Sequence, residues 1–154
     1  ERGRCVNLLL VGDGECREEL KELIFRYGLE SQVLIYGQTY NEEELALLLM
    51  GSQLCVSPGE VGLTAMHALA YGVPIVTHSN PCSQMPEFEA VLDGSTGFLF
   101  PDGDFNAMRE VVAQYLDKPI DNVFSNCVDM IENNYNVAVQ RERILAALEN
   151  VRLR

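Results

Sequence analysis

A glycine-bearing turn followed by a helix is the strongest candidate for chemistry in this sequence. It reads Ser-Pro-Gly-Glu-Val-Gly-Leu-Thr over Ser57–Thr64 and continues into an apolar helix that stops at Gly72. Gly59 and Gly62 would let the backbone approach a ligand closely. Free N–H groups over Val61–Thr64, at a helix amino terminus, would bind an anion without a cationic side chain. The residue types therefore predict phosphate binding, although a helix that merely packs explains the same spacing.

Other polar residues near this turn have a functional and a structural interpretation. His67 lies one helical turn after the predicted anion site, and it could equally be a satisfied core histidine. His78 follows a predicted strand. Glu87 and Glu89 fall in a loop where a solvated turn is the alternative. Residues 102–104 read Asp-Gly-Asp, which we interpret as a turn and helix N-cap rather than as a metal motif.

Predicted strands and helices alternate along the chain. The strands are apolar runs, which we place at Val6–Val11, Val33–Tyr36, Leu54–Ser57, Pro74–His78 and Thr96–Phe100. Helical patterns end at Gly28, Gly51, Tyr71 and Pro119, a short segment lies near Pro86–Leu92, and two helices at roughly 120–132 and 137–150 close the chain. Apolar runs separated by helices are typical of a parallel sheet that is covered on both faces. We therefore predict a doubly wound α/β domain.

Ligands of such sheets bind outside the carboxyl ends of the strands. This rule selects four loops, at residues 12–16, 37–41, 57–62 and 78–88. The first of them, Gly12-Asp13-Gly14, is not a dinucleotide fingerprint, because Arg17 stands where the third glycine would be.

The net charge of the chain and the distribution of its Lys and Arg residues bear on which classes of partner it is expected to bind. The chain has 154 residues, 23 acidic and 11 basic, with a formal net charge of -12. From Tyr27 to Met108 there is no Lys or Arg. The charge of this chain therefore argues against nucleic acid and anionic membrane surfaces as its partners, because both are bound mainly through cationic side chains.

Composition also bears on the compartment. The charged residues 1–4 do not resemble a signal peptide, and no apolar run is long enough to cross a bilayer. The five cysteines, including Cys5, show no CxxC spacing, which argues against a zinc site or a dithiol motif. These features predict a cytoplasmic protein with reduced thiols and no bound metal.

Several short motifs occur along the chain, and their order is more informative than any one of them alone. They are Val-Gly-Asp-Gly at Val11–Gly14, Ile-Tyr-Gly-Gln at Ile35–Gln38, the Ser57–Thr64 turn, Ala-Tyr-Gly-Val-Pro-Ile-Val at Ala70–Val76, and Gly94–Phe100 followed by Asp-Gly-Asp. Together they resemble the C-terminal, nucleotide-sugar-binding half of the retaining GT-B fold glycosyltransferases (glycosyltransferase family 4, glycosyl transferases group 1). The resemblance covers about residues 6–118.

The resemblance implies a role for each matching position. Donor-binding residues would line the cleft, border the nucleobase, lie near the transferred sugar or hold the diphosphate; these are Gly12, Gly14, Gly37, Gln38, Gly59, Val61, Gly62, Leu63 and Thr64. Catalytic roles would fall to Glu60, beside the transferred sugar, and to His67, in place of a glutamate that touches the ribose. The family usually has two glutamates eight positions apart, and here Gly59 and His67 occupy those positions.

The implied activity is transfer of a sugar from a UDP- or GDP-linked donor to a glycan or lipid acceptor, with retention and without a separate cofactor, as in polysaccharide biosynthesis. Residues 1–154 would be one Rossmann-like donor-binding domain, with a core over 1–118 and C-terminal helices over 119–154. The acceptor-binding half would lie outside this chain, so we expect the chain alone to be inactive. A GT-B fold epimerase of UDP-sugars and a non-catalytic nucleotide-sugar-binding module remain as alternatives.

Overall fold

The computed structural model describes residues 6–152, where strands and helices alternate as predicted. Cys5 and the charged residues 1–4 lie outside the described residues. The strands are β1 (Leu8–Val11), β2 (Val33–Gly37), β3 (Cys55–Ser57), β4 (Ile75–His78) and β5 (Gly97–Phe100). The α-helices are α1 (Arg17–Arg26), α2 (Glu42–Met50), α3 (Leu63–Ala70), α4 (Phe105–Asp117), α5 (Val123–Asn134) and α6 (Val137–Arg152). Two 3₁₀ helices, Pro81–Ser83 and Pro86–Ala90, lie between β4 and β5.

Some element boundaries differ from the predicted ones. β1 begins at Leu8 rather than Val6, and β4 begins at Ile75 rather than Pro74. For β4 the reason is that Pro74 has no N–H to donate to a neighbouring strand, so the regular hydrogen-bond ladder starts one residue later. α3 begins at Leu63 rather than Val61, after the N-cap residue Gly62. The helix predicted at 120–132 is shifted towards the C-terminus.

Every strand pairing is parallel, which confirms the predicted α/β class. β1 pairs with β2, and the other three strands are hydrogen-bonded in the order β3-β4-β5. The chain forms two compact units, one up to Leu45 and one from Ala46 onwards, with the division inside α2.

The first unit brings two glycine-containing turns together. The N–H of Gly12, just after β1, donates to the carbonyl of Gly37 at the end of β2 (2.9 Å). Asn41 caps α2, because its side-chain oxygen accepts from the N–H groups of Glu43 (2.9 Å) and Glu44 (3.2 Å).

The second unit has its core around β4, all four residues of which are buried. α3 contributes Ala65, Ala68 and Leu69, each with no exposed surface. Small alanine side chains let this helix pack closely on the sheet, and α5 packs against α3. Burial on this scale fixes the helix, and therefore its amino terminus, relative to β3 and β4.

Gly72 ends α3, as predicted from sequence. It has φ +74°, a left-handed conformation that glycine adopts without the steric cost of a side chain. The preceding residue, Tyr71, is the C-cap. The chain then turns directly into β4.

Candidate functional site

The turn between β3 and α3 presents backbone donors at its end. No side chain caps α3, whose N-cap is Gly62. Within residues 6–152 the N–H groups of Leu63 and Thr64 have no hydrogen-bond acceptor, whereas that of Ala65 donates to the Gly62 carbonyl (2.8 Å). Unpaired donors and the positive end of the helix dipole favour an anion here.

Val61 differs from the sequence expectation of a free N–H group. Its N–H donates to the side-chain oxygen Oε1 of Gln84 (2.7 Å), which comes from the segment between the two 3₁₀ helices. The expectation failed because the acceptor lies 23 positions along the chain, where spacing gives no signal. The backbone N–H groups of this turn that remain available to a ligand therefore begin at Gly62.

Gln84 was not predicted as a site residue, although it lies in one of the four loops that strand topology selected. Its Nε2 donates to Thr77 Oγ1 (2.9 Å) and to the His78 carbonyl (3.0 Å). Thr77 Oγ1 in turn donates to the Gly59 carbonyl (3.3 Å). This network fastens the turn to the carboxyl end of β4.

Neither a left-handed backbone nor steric crowding requires glycine at Gly59 or Gly62. Neither has a positive φ. A Cβ at Gly59 would meet nothing within 4 Å, and one at Gly62 would make ordinary contact with Met85 Cγ at 3.6 Å. The space beside the turn is therefore open, which leaves room for the close ligand approach expected from sequence.

Of the two residues predicted to be catalytic, Glu60 lies within this turn and His67 follows it in α3. Glu60 is exposed, and its carbonyl accepts from Ser57 Oγ (3.3 Å), so its side chain projects from a turn that is held internally. His67 lies in α3, one turn after Leu63, and is half-buried. Their predicted roles remain predictions.

The predicted cleft residues of the first unit surround a cavity of about 290 Å³. Gly12 and Gly14 line it, together with Arg17 from the first turn of α1. Arg17 was not singled out from sequence as a site residue. Its Nη1 lies 3.4 Å from Asp13 Oδ1 and 3.5 Å from where a Cβ at Gly37 would be. A guanidinium thus lies at the carboxyl ends of both strands of this unit.

Gln38, predicted to border the nucleobase, follows Gly37 in the same loop. Its Nε2 donates to the hydroxyl of Tyr40, whose ring is 83% exposed. An exposed aromatic ring beside an amide is a surface suited to a planar ligand.

The remaining candidates have structural partners. His78 is buried, its ring is edge-on to Phe100 with centroids 6.5 Å apart, and its Nδ1 accepts from the N–H of Asn80 (3.3 Å). Asp104 caps α4 as predicted, because its carboxylate accepts from the N–H groups of Asn106 (3.1 Å) and Ala107 (2.9 Å).

Glu87 and Glu89 line a second cavity, of about 360 Å³, beside the start of α3. Leu63 and Tyr135 also line it. Burial, and then the nearby charge of Glu89, raise the pKa of Tyr135, so this phenol stays protonated at neutral pH.

Within residues 6–152, no group of three or more His, Cys, Asp or Glu side chains is arranged to hold a metal ion. No helix in the described range has the length and apolarity needed to span a bilayer.

Comparison with known proteins identifies the family. Residues 1–118 match the family described as glycosyl transferases group 1, and the chain belongs to this family. One relative is the alpha-D-kanosaminyltransferase of Streptomyces kanamyceticus, 30% identical over 122 residues, which are 77% of this chain and 30% of the relative. Another is the lipopolysaccharide core biosynthesis mannosyltransferase LpsB of Rhizobium meliloti (strain 1021), 27% identical over 137 residues, which are 84% of this chain and 37% of the relative. The chain thus spans about a third of the length of these relatives.

Solved structures show the fold. Anabaena HepE in complex with UDP is similar with a TM-score of 0.73 and 22% identity, over 94% of this chain and 41% of that one. Sucrose-phosphate synthase from Thermosynechococcus elongatus is similar with a TM-score of 0.73 and 24% identity, over 94% and 39%. The fold is a Rossmann-like half of the GT-B glycosyltransferases, as the motif order predicted.

Proposed function

We propose that this chain is the donor-binding part of a retaining glycosyltransferase that uses a nucleotide-diphospho-sugar. The observation that carries the proposal is the uncapped amino terminus of α3, held beside a fixed turn in a chain of this family. The HepE structures contain UDP and, in one case, UDP-glucose, which supports a uridine donor for this chain as well.

The backbone would act on the leaving group. We assign the diphosphate to the N–H groups of Gly62, Leu63 and Thr64. Charge builds up on the nucleoside diphosphate as the bond to the sugar breaks, and pre-aligned donors stabilise that charge without reorganising. The stretch from Tyr27 to Met108 contains no Lys or Arg. Backbone donors suit such a stretch, because they supply positive potential without a cationic side chain.

The side chains would act on the sugar and the nucleoside. Glu60, on the exposed side of the turn, is assigned to the transferred sugar, whose anomeric carbon gains positive charge in the transition state. His67 is assigned to the ribose, and Gly37 and Gln38 to the nucleobase. The acceptor, a glycan or lipid, would bind to a half outside this chain.

Calorimetric titration of the full-length protein with UDP, GDP and their sugars tests donor binding. We expect one diphosphate to bind, and His67→Ala to weaken its binding by up to about tenfold, the effect of one lost hydrogen bond to the ribose. Gln114→Ala, at an exposed position of α4, is the control and should bind like the wild type. Unchanged affinity in His67→Ala would remove that assignment.

Product analysis by NMR tests the reaction. We expect the transferred sugar to keep the anomeric configuration of the donor. An epimerised nucleotide sugar would support the epimerase alternative instead. Binding of a nucleotide sugar with neither transfer nor epimerisation would support the non-catalytic nucleotide-sugar-binding module. The motivating observation for that alternative is the missing glutamate pair at Gly59 and His67.

A further inference from the structure

Gln84 uses both ends of its amide group within the second unit. Its oxygen accepts from the N–H of Val61 (2.7 Å), and its nitrogen donates to Thr77 Oγ1 (2.9 Å) and to the His78 carbonyl (3.0 Å). Val61 and Thr77 have no exposed surface. One side chain thus connects the candidate phosphate turn to the end of the central strand.

The segment that carries Gln84 is itself held in place. Asn80, at the start of the first 3₁₀ helix, donates through Nδ2 to Ser83 Oγ (3.1 Å) and to Asp102 Oδ2 (2.9 Å). Met85, the residue after Gln84, has its Cγ 3.6 Å from the position that a Cβ on Gly62 would occupy. Residues 84–85 therefore support the turn from one side, while the space at Gly59 stays open.

We infer that Gln84 is a positioning residue for the donor diphosphate, a role that rests on the proposed function. By holding the Val61 peptide, it sets the orientation of the chain that follows and so of the N–H groups of Gly62, Leu63 and Thr64. It touches no donor atom itself. The Val61 N–H, which sequence reasoning assigned to the ligand, belongs to this support instead.

Only a neutral amide meets the requirements of this position. The side chain must accept one hydrogen bond and donate two. A carboxylate would accept from Val61 but could not donate to Thr77 or to the His78 carbonyl. It would also add negative charge beside a diphosphate, in a stretch without Lys or Arg.

Gln84→Met in the full-length protein tests the inference, because it keeps the length of the side chain and removes its hydrogen bonds. We measure by calorimetry the affinities for UDP, UMP and uridine, and for the guanosine series in parallel. For the base that the wild type prefers, we expect diphosphate affinity to fall about tenfold, the effect of one or two lost hydrogen bonds. Affinity for the nucleoside should change less than threefold. A general loss of folding would not produce this dependence on phosphate.

A second variant and a local readout keep the test decisive. Thr77→Val removes the hydroxyl that Gln84 contacts, and we expect the same selective loss; it replaces Gln84→Met if that variant does not fold. Hydrogen exchange of the segment Ser57–Thr64, followed by mass spectrometry, should become faster in either variant. Gln114→Met is the matched control and should alter neither measurement.

The outcomes separate the two proposals. If the wild type binds a nucleoside diphosphate and folded Gln84→Met binds it equally well, the positioning role is overturned and the proposed function stands. Equal losses for diphosphate and nucleoside would also overturn it. If the wild type binds no nucleotide diphosphate, the proposed function fails, and the positioning role fails with it.

Discussion

At the scale of single residues, the site depends on groups that sequence reasoning ranked very differently. Gly59, Gly62 and His67 stood out because their types and spacing suggested a ligand. Gln84 did not, because a glutamine in a loop has no recognisable pattern. Its proposed role comes from the three hydrogen bonds it makes in the fold, all of them to buried residues.

The cysteines give a prediction at the same scale. Burial raises the pKa of Cys55 to about 11 and that of Cys127 to about 12, whereas Cys82 is exposed. A raised pKa means that the unreactive thiol persists at neutral pH and that thiolate forms only as the pH rises towards those values.

We therefore expect iodoacetamide to label Cys82 at pH 8 while Cys55 and Cys127 stay unlabelled in the native protein. Peptide mass spectrometry after timed labelling measures this. Labelling of Cys55 should keep accelerating from pH 8 to pH 10, and all three should react once the chain is denatured. Native Cys55 reacting as fast as Cys82 at pH 8 would contradict the burial described here.

At the scale of elements, α3 connects packing to the candidate site. Ala65, Ala68 and Leu69 bury one face of it, while its uncapped amino terminus stays available to a ligand. Its other end depends on Gly72, where a Cβ would lie 2.1 Å from Cδ2 of Phe124 in α5.

Gly72→Ala should lower the free energy of unfolding by about 2 kcal/mol, from the left-handed φ and the overlap with the ring together. Gly103→Ala is the matched control, because Gly103 has φ +77° but nothing within 4 Å of its added Cβ. Gly103→Ala should lower the free energy of unfolding by only about 1 kcal/mol. Urea denaturation measures both.

The two causes can be separated. Adding Phe124→Ala to Gly72→Ala removes the overlapping ring, so we expect the cost of Gly72→Ala in that background to fall to that of the control. An equal cost in both backgrounds would mean that backbone conformation alone accounts for the effect.

At the scale of the whole molecule, charge and chain length bear on activity. The described site offers amide donors, and Arg17 is in the first unit. The chain spans about a third of the curated relatives it matches. Under the proposed function, further cationic contacts to the donor, and the acceptor site, would come from a part of the protein outside this chain.

The isolated 154-residue chain should therefore bind nucleotide diphosphate at least about tenfold more weakly than the full-length protein, because each missing hydrogen bond to a charged group is worth roughly 1.5–3 kcal/mol. It should also catalyse no transfer. Calorimetry and a radiolabelled-donor assay measure the two properties. Efficient turnover by the isolated chain would contradict the division of labour proposed here.

The sequence by itself determined the order of elements, the parallel α/β class, the helix boundaries at Gly72 and Asp104, and the family. These follow from apolar runs, glycines and capping residues, whose effects are local or repeat along the chain. The tertiary structure alone decided that Val61 is bound to Gln84 and that Arg17 lies beside Gly37. Those contacts join residues that are 20 or more positions apart in the chain. Contacts at such separations leave no periodic pattern in the sequence.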